Sequence, residues 1–131
     1  MPTTKFASAV VYTDDVARAV EFYVYVTGLE STFYDRELGF VLLGTDQSIA
    51  IASHAAGTLM LADGYETVKS SQVRGAELAF WADDVDAAFQ RALDSGALSL
   101  TPPRTMPWGQ TVAYVQAPEG TIVGFITPVG T

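Results

Sequence analysis

The sequence predicts an α+β fold in which one domain is built from two βαβββ modules, and three observations carry that prediction. The stretch SAVVYTDDVARAV, residues 8–20, returns in altered form as AELAFWADDVDAAF, residues 76–89. In both copies an alternating run rich in β-branched and aromatic residues gives way, at Asp-Asp-Val, to a helical period. Extended segments separated by turn-forming stretches then follow each helix.

The elements follow in order. Residues 5–13, KFASAVVYT, alternate as a strand does. Asp14 or Asp15 caps the next helix, because a carboxylate there accepts from the free amides of the first turn. Val16, Ala19, Val20, Tyr23 and Val26 or Thr27 share one helical face, and Gly28 stops the helix. Extended segments at 31–36, 39–45 and 48–53, with a turn at GTDQ, complete a first module over 5–53. Residues 54–75 are polar, glycine-containing and too long for a mere connector, so they form either a lid over a pocket or an arm toward a partner. The second module, 76–128, repeats the plan. It has a strand at 76–82, a cap at Asp83 or Asp84, an apolar face of Val85, Ala88, Phe89 and Ala92, and a stop at Gly96. Extended segments near 97–101, 110–117 and 121–127 follow, with a turn at APEG.

Composition narrows the function classes. At 131 residues and 49% apolar content the chain can bury one core, which makes 1–131 a single domain. No apolar run is long enough to cross a bilayer, and MPTTKFAS lacks the charged and apolar regions of a signal peptide, so a soluble cytoplasmic protein is expected. The absence of cysteine excludes disulfides, thiolate catalysis and zinc-thiolate sites. A net charge of -8 argues against nucleic-acid partners and favours neutral or cationic small ligands. The single histidine, His54, excludes three-histidine and facial-triad metal sites, and no Ser-His-Asp pattern surrounds it. It reads as a surface residue at the start of a loop.

A doubled βαβββ unit with DDV openings resembles the vicinal oxygen chelate superfamily, which includes glyoxalases, extradiol dioxygenases, fosfomycin-resistance enzymes and bleomycin-resistance proteins. The resemblance runs over nearly the whole length. PWGQTVAYVQAPEG, residues 107–120, is similar to the PWG strand and D-P-x-G turn of the bleomycin-resistance branch, with Ala117 standing where that branch usually has Asp. The resemblance implies a glyoxalase/bleomycin-resistance-like fold of paired half-barrels around a cavity, in a two-fold homodimer whose clefts draw on both chains. It also implies that metal-using members hold their ion with the first and last strands of each module. Those positions fall here on Ser8 and Glu77, and near Ala50 and Gly124. Only Glu77 is a strong donor, so a pocket with no metal and no other cofactor is expected. The alternative is a site rebuilt from Glu77, His54 and Asp46 or Asp63.

Strand parity sorts the lining. Glu77, Ala79 and Trp81 share one face of their strand, as do Ser8, Val10 and Tyr12 of theirs. Glu77 either faces the cavity, to accept a proton or bond a ligand, or pairs at the rim with Arg74 or Arg104. Phe33, Phe40, Tyr12, Trp81, Trp108, Tyr114 and Phe125 lie on or beside predicted strands, where most fill the core. Trp108, between Pro107 and Gly109, is expected at the cavity mouth, with its indole free to stack on a planar ligand. The expected ligand contacts are Trp108, Glu77, Trp81, Tyr12, Ser8, Phe40, Tyr114 and Gly124. Together these features suit metal-independent sequestration of a bulky aromatic natural-product antibiotic. Two other readings remain: a small lyase, epimerase or cyclase with Glu77 as base or metal ligand, and a non-catalytic partner module.

Overall fold

The computed structural model describes residues 4–46, 48–67 and 72–128. Residues 1–3 and 129–131, Gln47 of the expected GTDQ turn and residues 68–71 of the connector lie outside the described residues.

The first module runs β1 (Ser8–Thr13), α1 (Val16–Thr27), β2 (Ser31–Asp35), β3 (Phe40–Leu43) and β4 (Ser48–Ser53). A short helix, α2 (His54–Met60), opens the connector. The second module runs β5 (Glu77–Trp81), α3 (Val85–Asp94), β6 (Leu98–Thr105), β7 (Thr111–Gln116) and β8 (Ile122–Ile126). Each module forms one four-stranded sheet, of order β1-β4-β3-β2 in the first and β5-β8-β7-β6 in the second. The first strand of each module pairs in parallel with the last, and the remaining pairs are antiparallel. The edges that lie first in each order, β1 and β5, are therefore unpaired on one side.

The structure settles the caps left open by the sequence. The Arg18 amide donates to Asp15 Oδ1 at 3.0 Å and the Ala87 amide to Asp84 Oδ1 at 3.0 Å, so the second aspartate of each pair caps its helix. Gly28 ends α1 with φ of 75°, a left-handed conformation that only glycine takes without strain.

One core joins the modules. α1 lies on the first sheet, α3 on the second, and the two helices touch. Phe22, Tyr23 and Val26 of α1 and Ala88, Phe89 and Ala92 of α3 belong to one cluster with Val41, Ile51, Val115 and Phe125. A Phe or Val side chain buried this completely contributes about 1.5–3 kcal/mol. Two polar ties reinforce the seam. The Tyr23 hydroxyl donates to Glu119 Oε2 at 2.8 Å, and the Arg18 guanidinium donates to the Ser95 carbonyl. Burial first, and the Glu119 carboxyl second, push the Tyr23 phenol well above its usual range.

Several boundaries differ from the sequence reading. β1 begins at Ser8 and not at residue 5. Phe22, absent from the predicted apolar face, is fully buried; α1 packs on its sheet and on α3 and so hides a wider stripe. His54 begins a helix and not a loop, since the Ser53 hydroxyl accepts from the Ala56 amide at 3.1 Å and nucleates a turn. β6 runs on to Thr105 through Pro102 and Pro103, which an edge strand with register shifts tolerates. No described helix is long and apolar enough to cross a membrane.

Candidate functional site

The sheet faces turned away from the helices carry the predicted parity. On β1, Val11 and Thr13 are buried while Val10 is 40% exposed. On β5, Glu77, Ala79 and Trp81 are exposed and Leu78 and Phe80 turn inward. Register places Val10 beside Ala50 and Ala50 beside Leu42, and places Ala79 beside Gly124 and Gly124 beside Tyr114. Phe33 at 52% and Trp81 at 67% exposure show that these two faces do not cover one another within the chain. A partly open pocket lies instead where residues of the free-edge strands β1 and β5 come together.

That space is a cavity of about 310 Å³. Val10 and Tyr12 line it from β1, Glu77 and Leu78 from β5, and Tyr65 and Arg74 from the connector. Its size and its apolar walls with few polar groups are those of a small-molecule site. The Tyr65 ring packs on Tyr12 with centroids 4.9 Å apart. Partial removal from water, then Tyr12 and the Asp14 carboxylate, raise the Tyr65 phenol above its usual range.

Glu77 forms no ion pair with Arg74 or Arg104 among the described residues; Arg74 lies 3.5 Å from Glu66 and donates to Gln72 at 2.8 Å. The Glu77 carboxylate lies over Gly124. A Cβ at that position would stand 2.7 Å from Glu77 Oε2 and 2.8 Å from Tyr114 Cε1. Gly124 thus makes room for both side chains.

Of the residues expected to contact a ligand, Tyr12 and Glu77 belong to the cavity wall. Trp81, Tyr114 and Gly124 share the open face of the second sheet with Glu77, while Ser8 and Phe40 share that of the first with Tyr12. Trp108 stands apart. It occupies the turn between β6 and β7, is 69% exposed and donates its indole N–H to Gln110 at 2.8 Å. It is not part of this cavity's wall.

The four positions that the resemblance assigns to a metal, Ser8, Glu77, Ala50 and Gly124, do not fit an ion here. Ala50 and Gly124 offer no donor, and Ser8 offers one hydroxyl beside the single carboxylate of Glu77. Among the described residues no three His, Asp or Glu side chains converge. His54 is committed elsewhere, with Nε2 3.0 Å from Asp14 Oδ1 and Nδ1 2.7 Å from the Tyr65 hydroxyl. The sequence reading named Arg74 only as a rim partner for Glu77 and missed Tyr65, because both sit in a polar connector without periodicity. The one available signal was an isolated aromatic in LADGYET.

The Glyoxalase/Bleomycin resistance protein/Dioxygenase superfamily model matches residues 5–125. A glyoxalase/bleomycin resistance protein/dioxygenase family enzyme from Burkholderia phytofirmans PsJN is 24% identical, with a TM-score of 0.82 and coverage of 95% of this chain and 98% of that one. TioX from Micromonospora sp. ML1 is 22% identical, with a TM-score of 0.67 over 95% and 98% of the two chains. Lactoylglutathione lyase from Agrobacterium tumefaciens is 21% identical, with a TM-score of 0.67 over 97% and 96%. No curated protein matches. At these identities the structural likeness speaks for the fold.

Proposed function

The chain belongs to the glyoxalase/bleomycin resistance protein/dioxygenase superfamily, and from that premise we propose that it binds and sequesters a bulky, largely aromatic natural-product antibiotic without a metal or other cofactor, as a resistance or self-resistance protein. The observation that carries this reading is the cavity between β1 and β5, where two tilted tyrosine rings stand among apolar walls with the unpaired carboxylate of Glu77. Affinity comes from apolar burial and stacking, and Glu77 accepts a hydrogen from a ligand N–H or O–H. A net charge of -8 draws uncharged or cationic compounds more readily than anionic ones.

A second copy of the chain is the proposed partner. Val10, Phe33, Trp81 and Leu98 leave apolar surface on the two sheet faces, and a two-fold dimer that closes those faces enlarges the cleft. Ser8, Phe40, Trp81, Tyr114, Gly124 and Trp108 contact ligand in that assembled cleft. A cytoplasmic location suits capture of a compound before it reaches an intracellular target.

Incubation of the protein with a polycyclic antibiotic, followed by denaturation and mass spectrometry, tests the reading. Recovery of the compound unchanged supports sequestration. The free Glu77 carboxylate at the cavity also favours a second reading, a small enzyme with Glu77 as base. Product formation that disappears in Glu77→Gln while binding persists selects that reading over sequestration.

A further inference from the structure

Asp14, His54 and Tyr65 form a hydrogen-bonded file that runs from solvent to the cavity wall. Asp14 is almost fully exposed, its Oδ1 lies 3.0 Å from His54 Nε2, and His54 Nδ1 lies 2.7 Å from the Tyr65 hydroxyl. A carboxylate only accepts, so in its neutral form the imidazole carries its hydrogen on Nε2 and presents a lone pair at Nδ1. The phenol donates to that lone pair and keeps its own lone pairs for a further donor.

Each member is held in place locally. Asp15 takes the helix cap, which leaves Asp14 free for His54. His54 is the first residue of α2, fixed by the Ser53 cap. The Tyr65 hydroxyl rests against the bare backbone of Gly57, where any Cβ would overlap it. The groups facing His54 are Asp14 from the β1–α1 junction and Tyr65 from the connector, with Tyr12 of β1 behind Tyr65. Glu66, Arg74 and Glu77 are the other charged groups at the cavity.

We propose that Tyr65, backed by His54 and Asp14, is the proton-accepting site for an acidic hydroxyl of the ligand, which makes the ligand a hydroxylated aromatic, a phenol or enol bound as its anion. This rests on the sequestration reading and adds its chemical class. The ligand O–H bond breaks and its proton passes to Tyr65 Oη. The Tyr65 O–H proton moves in the same step to His54 Nδ1. The products are the ligand anion and an imidazolium held by the Asp14 carboxylate, with no electron transferred and no co-reactant consumed. The imidazolium and Arg74 offset the new anion against Glu66 and Glu77.

His54 is the chain's only histidine, so nitrogen NMR of the labelled imidazole reads a single ring. The probes are 2-hydroxyanthraquinone, whose visible absorbance reports its ionisation, and 2-methoxyanthraquinone. Before addition, the ring should show the Nε2–H tautomer. At saturating hydroxy probe, below that probe's own pKa, the bound compound should carry the anion's spectrum while the ring becomes imidazolium. The methoxy probe should leave the ring neutral. In His54→Gln and in Tyr65→Phe, the anionic fraction of bound hydroxy probe should fall at least tenfold. Hydroxy probe bound as a neutral phenol, or an anion retained in both variants, overturns the relay and leaves sequestration standing. Binding of neither probe overturns both.

Discussion

Replacing Tyr23 by Phe removes one hydroxyl from the seam between the modules, and its consequences follow from the geometry. Tyr23 is fully buried and its hydroxyl donates at 2.8 Å to Glu119 Oε2. The other carboxyl oxygen, Oε1, has no partner, and Glu119 is only 9% exposed. Without the phenol both oxygens are buried unpaired, which costs about 1.5–3 kcal/mol at pH 8. A second signature appears in alkali. The native phenol is raised by burial and then by Glu119, with a smaller opposing effect of the Thr121 side chain. Above pH 10 the unfolded chain therefore releases the Tyr23 proton while the native state keeps it. Stability from this residue is complete below pH 10 and falls by about 1.4 kcal/mol per pH unit above it, until the native phenol itself ionises. Tyr23→Phe lacks that slope. In urea unfolding followed by circular dichroism from pH 8 to 11.5, the gap between wild type and variant should be constant to pH 10 and narrow beyond it. A gap that stays constant across the whole range would show that the native Tyr23 phenol is not raised by its surroundings.

Three further outcomes follow. Phe22→Ala, which empties the buried centre of α1, should cost about 3–5 kcal/mol in the same unfolding assay. Gly124→Ala should weaken ligand affinity several-fold in a calorimetric titration while the fold is retained, because the new methyl displaces the Glu77 carboxylate and the Tyr114 ring. Trp81→Arg, placed on the open face of β5, should shift the mass measured by light scattering from dimer toward monomer; an unchanged mass would remove that face from the proposed interface.

The fold was legible because its two signals are local. The DDV repeat marked both strand-to-helix junctions, and the period of Val85, Ala88, Phe89 and Ala92 named the buried face of α3 in full. Phe22 escaped because α1 packs on a sheet and also on α3, distant in sequence, so it hides more than the one face its own period marks. The site was legible in part for the same reason. Parity along β1 and β5 correctly put Tyr12 and Glu77 on the faces away from the helices, and the structure brings both to one cavity. Tyr65 and Arg74 come from a connector whose path is fixed by tertiary contacts, namely the Tyr65 ring on Tyr12 and its hydroxyl over Gly57. His54 read as a lone surface histidine because its partners are 40 residues before it and 11 after it, at Asp14 and Tyr65. The PWG stretch suggested a strand start, but the Gly109 amide bonds the Met106 carbonyl and closes a turn, and Trp108 in that turn is not among the residues that line this cavity.

Metal-independent sequestration is tested by a calorimetric titration of the purified protein, in excess chelator, with polycyclic hydroxylated aromatic antibiotics. Saturable binding near one ligand per chain is expected, with an affinity unchanged when the chelator is replaced by divalent metal. Binding that appears only with metal would contradict it and would make Glu77 the anchor of a metal centre.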